Sequence, residues 1–405
     1  AFVRDAAGKP RTFGEIVEQT KNVALSSDNK RSFTLIGDPA LRLALPRLGV
    51  LTDSVNGAPY ISIDTLSALS KVTIKGHIVD ANQVLVSNFN GTIIPSVFDK
   101  IKNNQTLAQD PGSPVLDFEL QRNVLYKGKA SVNNGYFEFS FIVPKDIALN
   151  YGRGKLSYYA FSNQTDAIGL DTTVLIGGID PNGLVDSIGP EISAYLNDEQ
   201  FIDGGISNEE PVLFIKLFDE SGINTVGNGI GHDLMAILDE ESANPIILND
   251  YYTSDLNTYQ SGQVKYPFTT LDPGQHTISV KAWDVNNNSS DVKMSFTVQA
   301  AETPLVKRLY NYPNPFSTAT EFMLEHNQSC DVMDVQIQIY TIGGRLVKTI
   351  QNQVNTQGFT SRGLFWDGRD DYGDRLANGV YIYRLQYQNS DGKRAEETQK
   401  LVILN

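Results

Sequence analysis

Between Val335 and Tyr340 the chain reads Val-Gln-Ile-Gln-Ile-Tyr, one apolar residue in every two. A side-chain period of two puts the apolar set on one face of an extended strand and the amides on the other, which a helix cannot do. The same pattern recurs through the last hundred residues, punctuated by glycine. The turn Thr341-Ile342-Gly343-Gly344 leads to a partner strand, Arg345 to Ile350. After the cluster Phe365-Trp366-Asp367-Gly368 and a turn at Gly373-Asp374 comes Asn378-Gly379-Val380-Tyr381-Ile382-Tyr383-Arg384-Leu385. Asp391-Gly392 then turns the chain into a final strand, Gln399 to Leu404. Alternation between glycine turns predicts a small antiparallel sandwich over residues 301–405.

Upstream, alternation dominates as far back as Gly49. Residues 49–179 carry Val72 to Val79, Phe137 to Val143 and Lys155 to Phe161, with hairpin signals at Asn90-Gly91 and Asn134-Gly135 and an expected loop from Val97 to Gly112. Residues 180–300 open after Asp180-Pro181-Asn182-Gly183 and carry the strands Pro211 to Asp219 and His276 to Asp284, with Trp283 expected to plug the core. Both stretches read as Ig-like sandwiches. Residues 1–48 differ. Thr12 and Glu15 have capping-box spacing, and Phe13, Ile16, Val17, Thr20 and Ala24 follow a helical period, which predicts a helix from Phe13 to Leu25. A short strand is expected at Ser32 to Ile36, stopped by Gly37-Asp38-Pro39. One helix and one strand bury no core, so this piece reads as the end of a larger α/β domain. The fold class is therefore mainly β: tandem Ig-like antiparallel sandwiches preceded by a helix/strand remnant.

Composition excludes several functions. A formal net charge of −14 argues against nucleic acid, which needs a basic face. No apolar run reaches the ~18 residues of a membrane helix. Cys330 is alone, so no internal disulfide forms, and with four histidines there is little material for a metal or nucleophilic site. His77 has no acidic or histidine neighbour in sequence and reads as a solvent-facing strand residue. His232 and Asp233, with Asp219 and Glu220, form the one acidic cluster worth weighing for calcium; EF-hand spacing is absent and acidic turns are expected in an acidic chain. The glycines of Gly227 to Gly231 lack the ending of a phosphate cradle. No cofactor, metal or catalytic residue is expected in this chain. Beginning at Ala1 without a signal peptide, it is expected to be a fragment or a processed chain.

Three stretches carry resemblances. The order Pro313-Asn314-Pro315-Phe316, Gly343-Gly344, Trp366-Asp367-Gly368 and Gly379-Val380-Tyr381 resembles the FlgD-like immunoglobulin-type domain that ends Bacteroidetes proteins handled by the type IX secretion system. Phe33 to Leu43, with Gly37, Asp38 and Pro39, resembles the end of the caspase-like domain of gingipain-family (C25) cysteine peptidases, although Asp38 itself reads as a turn former. Gly227 to Asp233, Leu248 to Tyr252, Leu271 to Thr277 and Ala282 to Ser289 resemble the gingipain-like sortases of that secretion system. The resemblance implies a parent cysteine endopeptidase and transpeptidase at the outer face of the outer membrane. Such an enzyme, exported through the periplasm, cleaves C-terminal signals from cargo and attaches the cargo to anionic lipopolysaccharide. The catalytic Cys/His pair would lie in an upstream body; Cys330, in a polar loop, reads as a structural thiol. The implied partners are a PorV-like outer-membrane β-barrel carrier, the upstream catalytic part, other attachment-complex proteins and cargo C-terminal domains. Gly379, Val380, Tyr381, Lys400, Leu401, Val402 and Ile403 are the expected carrier contacts, because a terminal strand at a sheet edge offers free main-chain donors. The alternatives are the Ig-like tail of a secreted cargo hydrolase and the stalk of a surface adhesin, the latter expected to show an aromatic platform for glycans.

Overall fold

The structure, a computed structural model, describes residues 10–23, 33–59, 65–110, 112–225, 231–299, 306–328, 332–355 and 359–404. It is mostly β, with one α-helix among the described residues. That helix, Phe13–Val23, has the reciprocal cap its sequence predicts: the Glu15 amide donates to Thr12 Oγ1 (3.2 Å) and the Thr12 amide to Glu15 Oε2 (2.7 Å). No helix residue is buried. The short strand expected at Ser32 to Ile36 does not form across Phe33–Ile36, and Phe33 and Ile36 stand exposed; Ser32 lies outside the described residues. An extended segment becomes a strand only by pairing, and nothing described lies alongside this one. Gly37-Asp38-Pro39 is a turn: Asp38 Oδ1 accepts from the Ala40 amide (2.8 Å) and the Pro39 carbonyl from Gly14 (2.9 Å).

The first β unit closes on itself. Its strands run in the order Lys155–Phe161, Asp166–Asp171, Leu48–Val55, Lys71–Val79, Tyr136–Ile142, Ala130–Asn133 and Gly91–Phe98, and the last pairs back onto the first. Closure removes the free edges that would otherwise template aggregation. Phe137, Phe139, Phe141, Tyr126 and Tyr158 stack inside. Asn134-Gly135 makes the expected hairpin, with φ of 51° and 80°. Asn90-Gly91 does not; Gly91 begins a strand so close to its neighbour that a Cβ would lie 2.1 Å from the Phe161 carbonyl oxygen. The expected loop from Val97 is also corrected. Val97 lies within the strand Gly91–Phe98, and Lys102–Gln105 pairs with Asp117–Leu120 as a projecting hairpin. Polar composition had hidden a strand whose partner lies beyond the turn.

The second unit packs Glu191–Leu196, Val212–Phe218, Ser261–Pro267 and Tyr252–Ser254 against a sheet built on Gly274–Trp283 and Ser289–Val298. Leu213, Ile215 and Leu217 face Ile278, Val280, Ala282 and Phe296. Because Ala282 points inward, Trp283 points out: it is half-buried between His232 (ring centroids 4.4 Å) and the Lys281 ammonium, and it does not plug the core.

Main-chain bonds join the first and second units, from the Lys145 amide to the Val285 carbonyl (2.9 Å) and from Asn257 to Lys129 (2.8 Å). Asp146 anchors the junction. Its Oδ2 accepts from Asn224 (3.3 Å) and contacts His232 Nδ1 (2.7 Å), while Oδ1 accepts from Asn287 (2.7 Å). Removing a largely buried acceptor of several bonds leaves its partners unsatisfied, so Asp146→Ala should cost about 2–4 kcal/mol. It should also split a shared calorimetric transition of the two units into two; an unchanged single transition would show that Asp146 does not couple them.

Candidate docking face

The third unit is a sandwich of two sheets. One pairs Val306–Tyr312, Thr320–His326 and Thr360–Trp366; the other runs Leu346–Asn355, Val332–Thr341, Gly379–Asn389 and Arg394–Ile403. Leu346–Asn355 and Arg394–Ile403 are longer than the strands expected at Arg345 to Ile350 and Gln399 to Leu404. Along Val332–Thr341 the expected alternation is complete: Met333, Val335, Ile337 and Ile339 are buried, while Asp334, Gln336, Gln338 and Tyr340 face outward. The buried set packs against Tyr383, Leu385, Phe322 and Trp366. Gly344 and Gly392, with φ of 84° and 78°, make the two hairpin turns.

The same parity divides the expected carrier contacts. Tyr381, Leu401 and Ile403 are buried, and the Tyr381 hydroxyl donates to the Ala377 carbonyl (2.8 Å). Val380, Lys400 and Val402 point outward, and Gly379 opens the strand. Registry sets Leu346, Tyr340, Ile382 and Lys400 in one outward row, because residues directly opposite one another share a face. Val380 pairs with Val402 in the next row, beyond which Ile342 stands 76% exposed at the hairpin tip. The result is an exposed apolar strip that includes Ile342, Leu346 and Ile382, which sequence reasoning did not single out. The signal was present in the alternation about Tyr381 and Ile339.

At the end of the last strand, in contrast, the amides of Val402 and Leu404 are already taken. The Val402 amide donates to Asn314 Oδ1 (2.9 Å), and Asn314 Nδ2 donates to the Lys400 carbonyl (3.2 Å) and to Asn311 Oδ1 (3.1 Å). Phe316 donates to the Val402 carbonyl (3.1 Å) and accepts from Leu404 (2.8 Å). The Pro313-Asn314-Pro315-Phe316 segment, whose two X-Pro bonds are cis, thus occupies the outer edge there. Phe316 is buried edge-on against Trp366, 5.6 Å between centroids. Trp366 Nε1 donates to the Arg369 carbonyl (2.9 Å), and Asp367 Oδ1 accepts from the Arg369 amide (3.1 Å), so Trp366-Asp367-Gly368 fixes the neighbouring loop. The unclamped part of the edge, Arg394–Gln399, carries Arg394, Glu396 and Glu397, charges of the kind that discourage strand addition. The outward face of this sheet, rather than this edge, is therefore the surface left open.

The other expected clusters rearrange. His77 contacts Asp53 (2.8 Å) across the sheet, a partner its local sequence did not show. Asp219 meets Asp186 and Asp284, their oxygens within 4.8 Å of one another, rather than His232 or Asp233. Burial raises the pKa of both Asp219 and Asp284. Hydrogen bonds to Ser221, Gly222 and Asn288 make these carboxylates turn fasteners. Cys330 and residues 226–230 of the glycine stretch lie outside the described residues. His276 contacts Asp239 (2.7 Å). His326 is fully buried, 3.1 Å from Ser361 Oγ, and burial pushes its pKa down to about 4.

The sequence model of the FlgD Ig-like domain family matches residues 314–391, within this third unit. No curated protein sequence matches the chain. Among solved structures, dimeric latent PorU from Porphyromonas gingivalis is similar at 29% identity over all of this chain, with a TM-score of 0.41. The chain spans 38% of the length of that protein. The FN1–FN3 domains of chicken CNTN1 are 12% identical over 88% of this chain and 98% of theirs, with a TM-score of 0.19. A tetra-tandem repeat from the extending region of a large adhesion protein is also 12% identical, over 89% and 74%, with a TM-score of 0.19.

Asn314→Ala should destabilise the third unit by about 2 kcal/mol and expose the chain end to carboxypeptidase; unchanged digestion would show that the clamp does not hold the strand. Acid should also weaken this unit. The unfolded chain protonates His326 near 6.5 and the folded one near 4, so stability falls as pH drops through that window. The loss approaches about 3 kcal/mol, and His326→Phe should flatten it in urea titrations between pH 7 and 4.

Proposed function

We propose that this chain is the C-terminal support and docking part of a type IX secretion sortase. The observation that carries the reading is the FlgD Ig-like unit, whose Pro313-Asn314-Pro315-Phe316 segment clamps the terminal strand and leaves an apolar strip facing outward. The ordered resemblances to gingipain-family proteins, at Phe33 to Leu43 ahead of the first unit and in four stretches of the second, support it. In this reading the first two units, joined through Asp146, hold an upstream cysteine peptidase body at a set distance from the outer membrane. The third unit seats on a β-barrel carrier through Ile342, Leu346, Val380, Ile382 and Val402. The parent enzyme attacks the scissile carbonyl of cargo with an upstream thiolate, expels the C-terminal signal as its amine to leave an acyl-enzyme, and passes the acyl group to a nucleophile of anionic lipopolysaccharide, which frees the thiolate. In this reading the present chain is inactive by itself, because the catalytic Cys/His pair belongs to the upstream body.

An apolar centre with a polar rim is the anatomy of a stable interface, and a charge placed in it is strongly unfavourable. The test is to recover the chain from detergent-solubilised outer membranes. A β-barrel carrier and an upstream peptidase polypeptide should accompany a chain with its terminus at Asn405, and Ile382→Asp should reduce the carrier at least tenfold. A chain ending near Ala300 and free of membrane partners would be cargo and would sink the proposal.

A further inference from the structure

Beyond the apolar strip the same outward face changes character. Gln351, Gln336, Gln386 and Glu396 stand opposite one another in a row crossing all four strands. Gln353, Asp334, Gln388 and Arg394 form the next row, and Gln338 and Arg384 begin a third toward the strip. The first two rows line a shallow open depression of about 850 Å3. Four charges here, Asp334 and Glu396 against Arg384 and Arg394, cancel in a chain of net charge −14. Much of the rim is internally bonded, Gln353 to Asp334 (2.7 Å), Gln386 to Glu396 (2.6 Å) and Arg394 to Gln388 (3.0 Å). At the centre, Gln336 and Gln351 lie side by side with no side-chain hydrogen bond among the described residues, and the Nε of the adjoining Arg384 is buried without a partner.

We propose that these rows bind a neutral polysaccharide laid across the strands. An amide presents one acceptor and two donors, matching hydroxyls that both donate and accept. Strands lie ~4.8 Å apart, close to the length of one hexose, so successive sugars meet successive strands. The cancelled charge offers nothing to a densely anionic polymer. Each bond contributes little alone, and affinity comes from their repetition. The site uses a different part of the face from the carrier strip and does not rest on that reading.

The full chain should be tested on an array of neutral glucans, mannans and galactans printed beside their uronic-acid and sulfated counterparts. At least one neutral polymer should retain it. The double variant Gln336→Ala/Gln351→Ala should lose that retention at least tenfold with an unchanged Tm, while Ile382→Asp should keep it. Absence of retention on every neutral polymer, retention undiminished in the double variant, or preference for a charged counterpart would each overturn the assignment.

Discussion

An unpaired amide at the edge of a sheet must find a partner, and that requirement shapes the two outer β units. The first meets it by closure, with Gly91–Phe98 pairing back onto Lys155–Phe161. The third meets it with a clamp, Asn314 and Phe316 engaging the carbonyls of Lys400 and Val402 and the amides of Val402 and Leu404. Where the clamp ends, charged side chains stand along the remaining edge. With that edge clamped or guarded, the open surface beside it is the sheet's outward face.

Closure also explains the pairing of tight backbone approach with glycine. Gly91 lies where a side chain would strike the Phe161 carbonyl, so the ring closes only because the first residue of that strand lacks a Cβ. The junction of the first two units relies on a different device, a carboxylate satisfied from three directions by residues of the second unit. Both devices act at positions that local sequence pattern does not distinguish from ordinary turns.

What was legible in the sequence was local. Alternation about Ile337, the positive-φ turns at Asn134-Gly135, Gly344 and Gly392, and the Thr12–Glu15 cap all follow from residues within a few positions of one another. What was illegible was registry. The partner of His77 lies 24 residues away and that of His232 lies 86, across a unit boundary. Trp283 was misassigned because a large aromatic suggests a core, whereas the inward position belongs to Ala282. The failed strand at Phe33–Ile36 has strand-like composition and no described neighbour to pair with. Periodicity specifies which faces a segment has; only pairing specifies what each face meets.

That distinction governs the candidate site. A strand residue cannot serve the core and a partner at once, because its side chain has one direction. Tyr381, Leu401 and Ile403 are committed inward, so the outward face of this sheet presents Val380, Lys400 and Val402 together with the neighbours that registry supplies. Those neighbours come from strands distant in sequence: Leu346, Tyr340 and Ile382 at the apolar end, Gln351, Gln336 and Gln386 at the amide end. The outward face is thus two surfaces on one sheet, and the hydrophobic alternation that builds the core is also what keeps them separate from it.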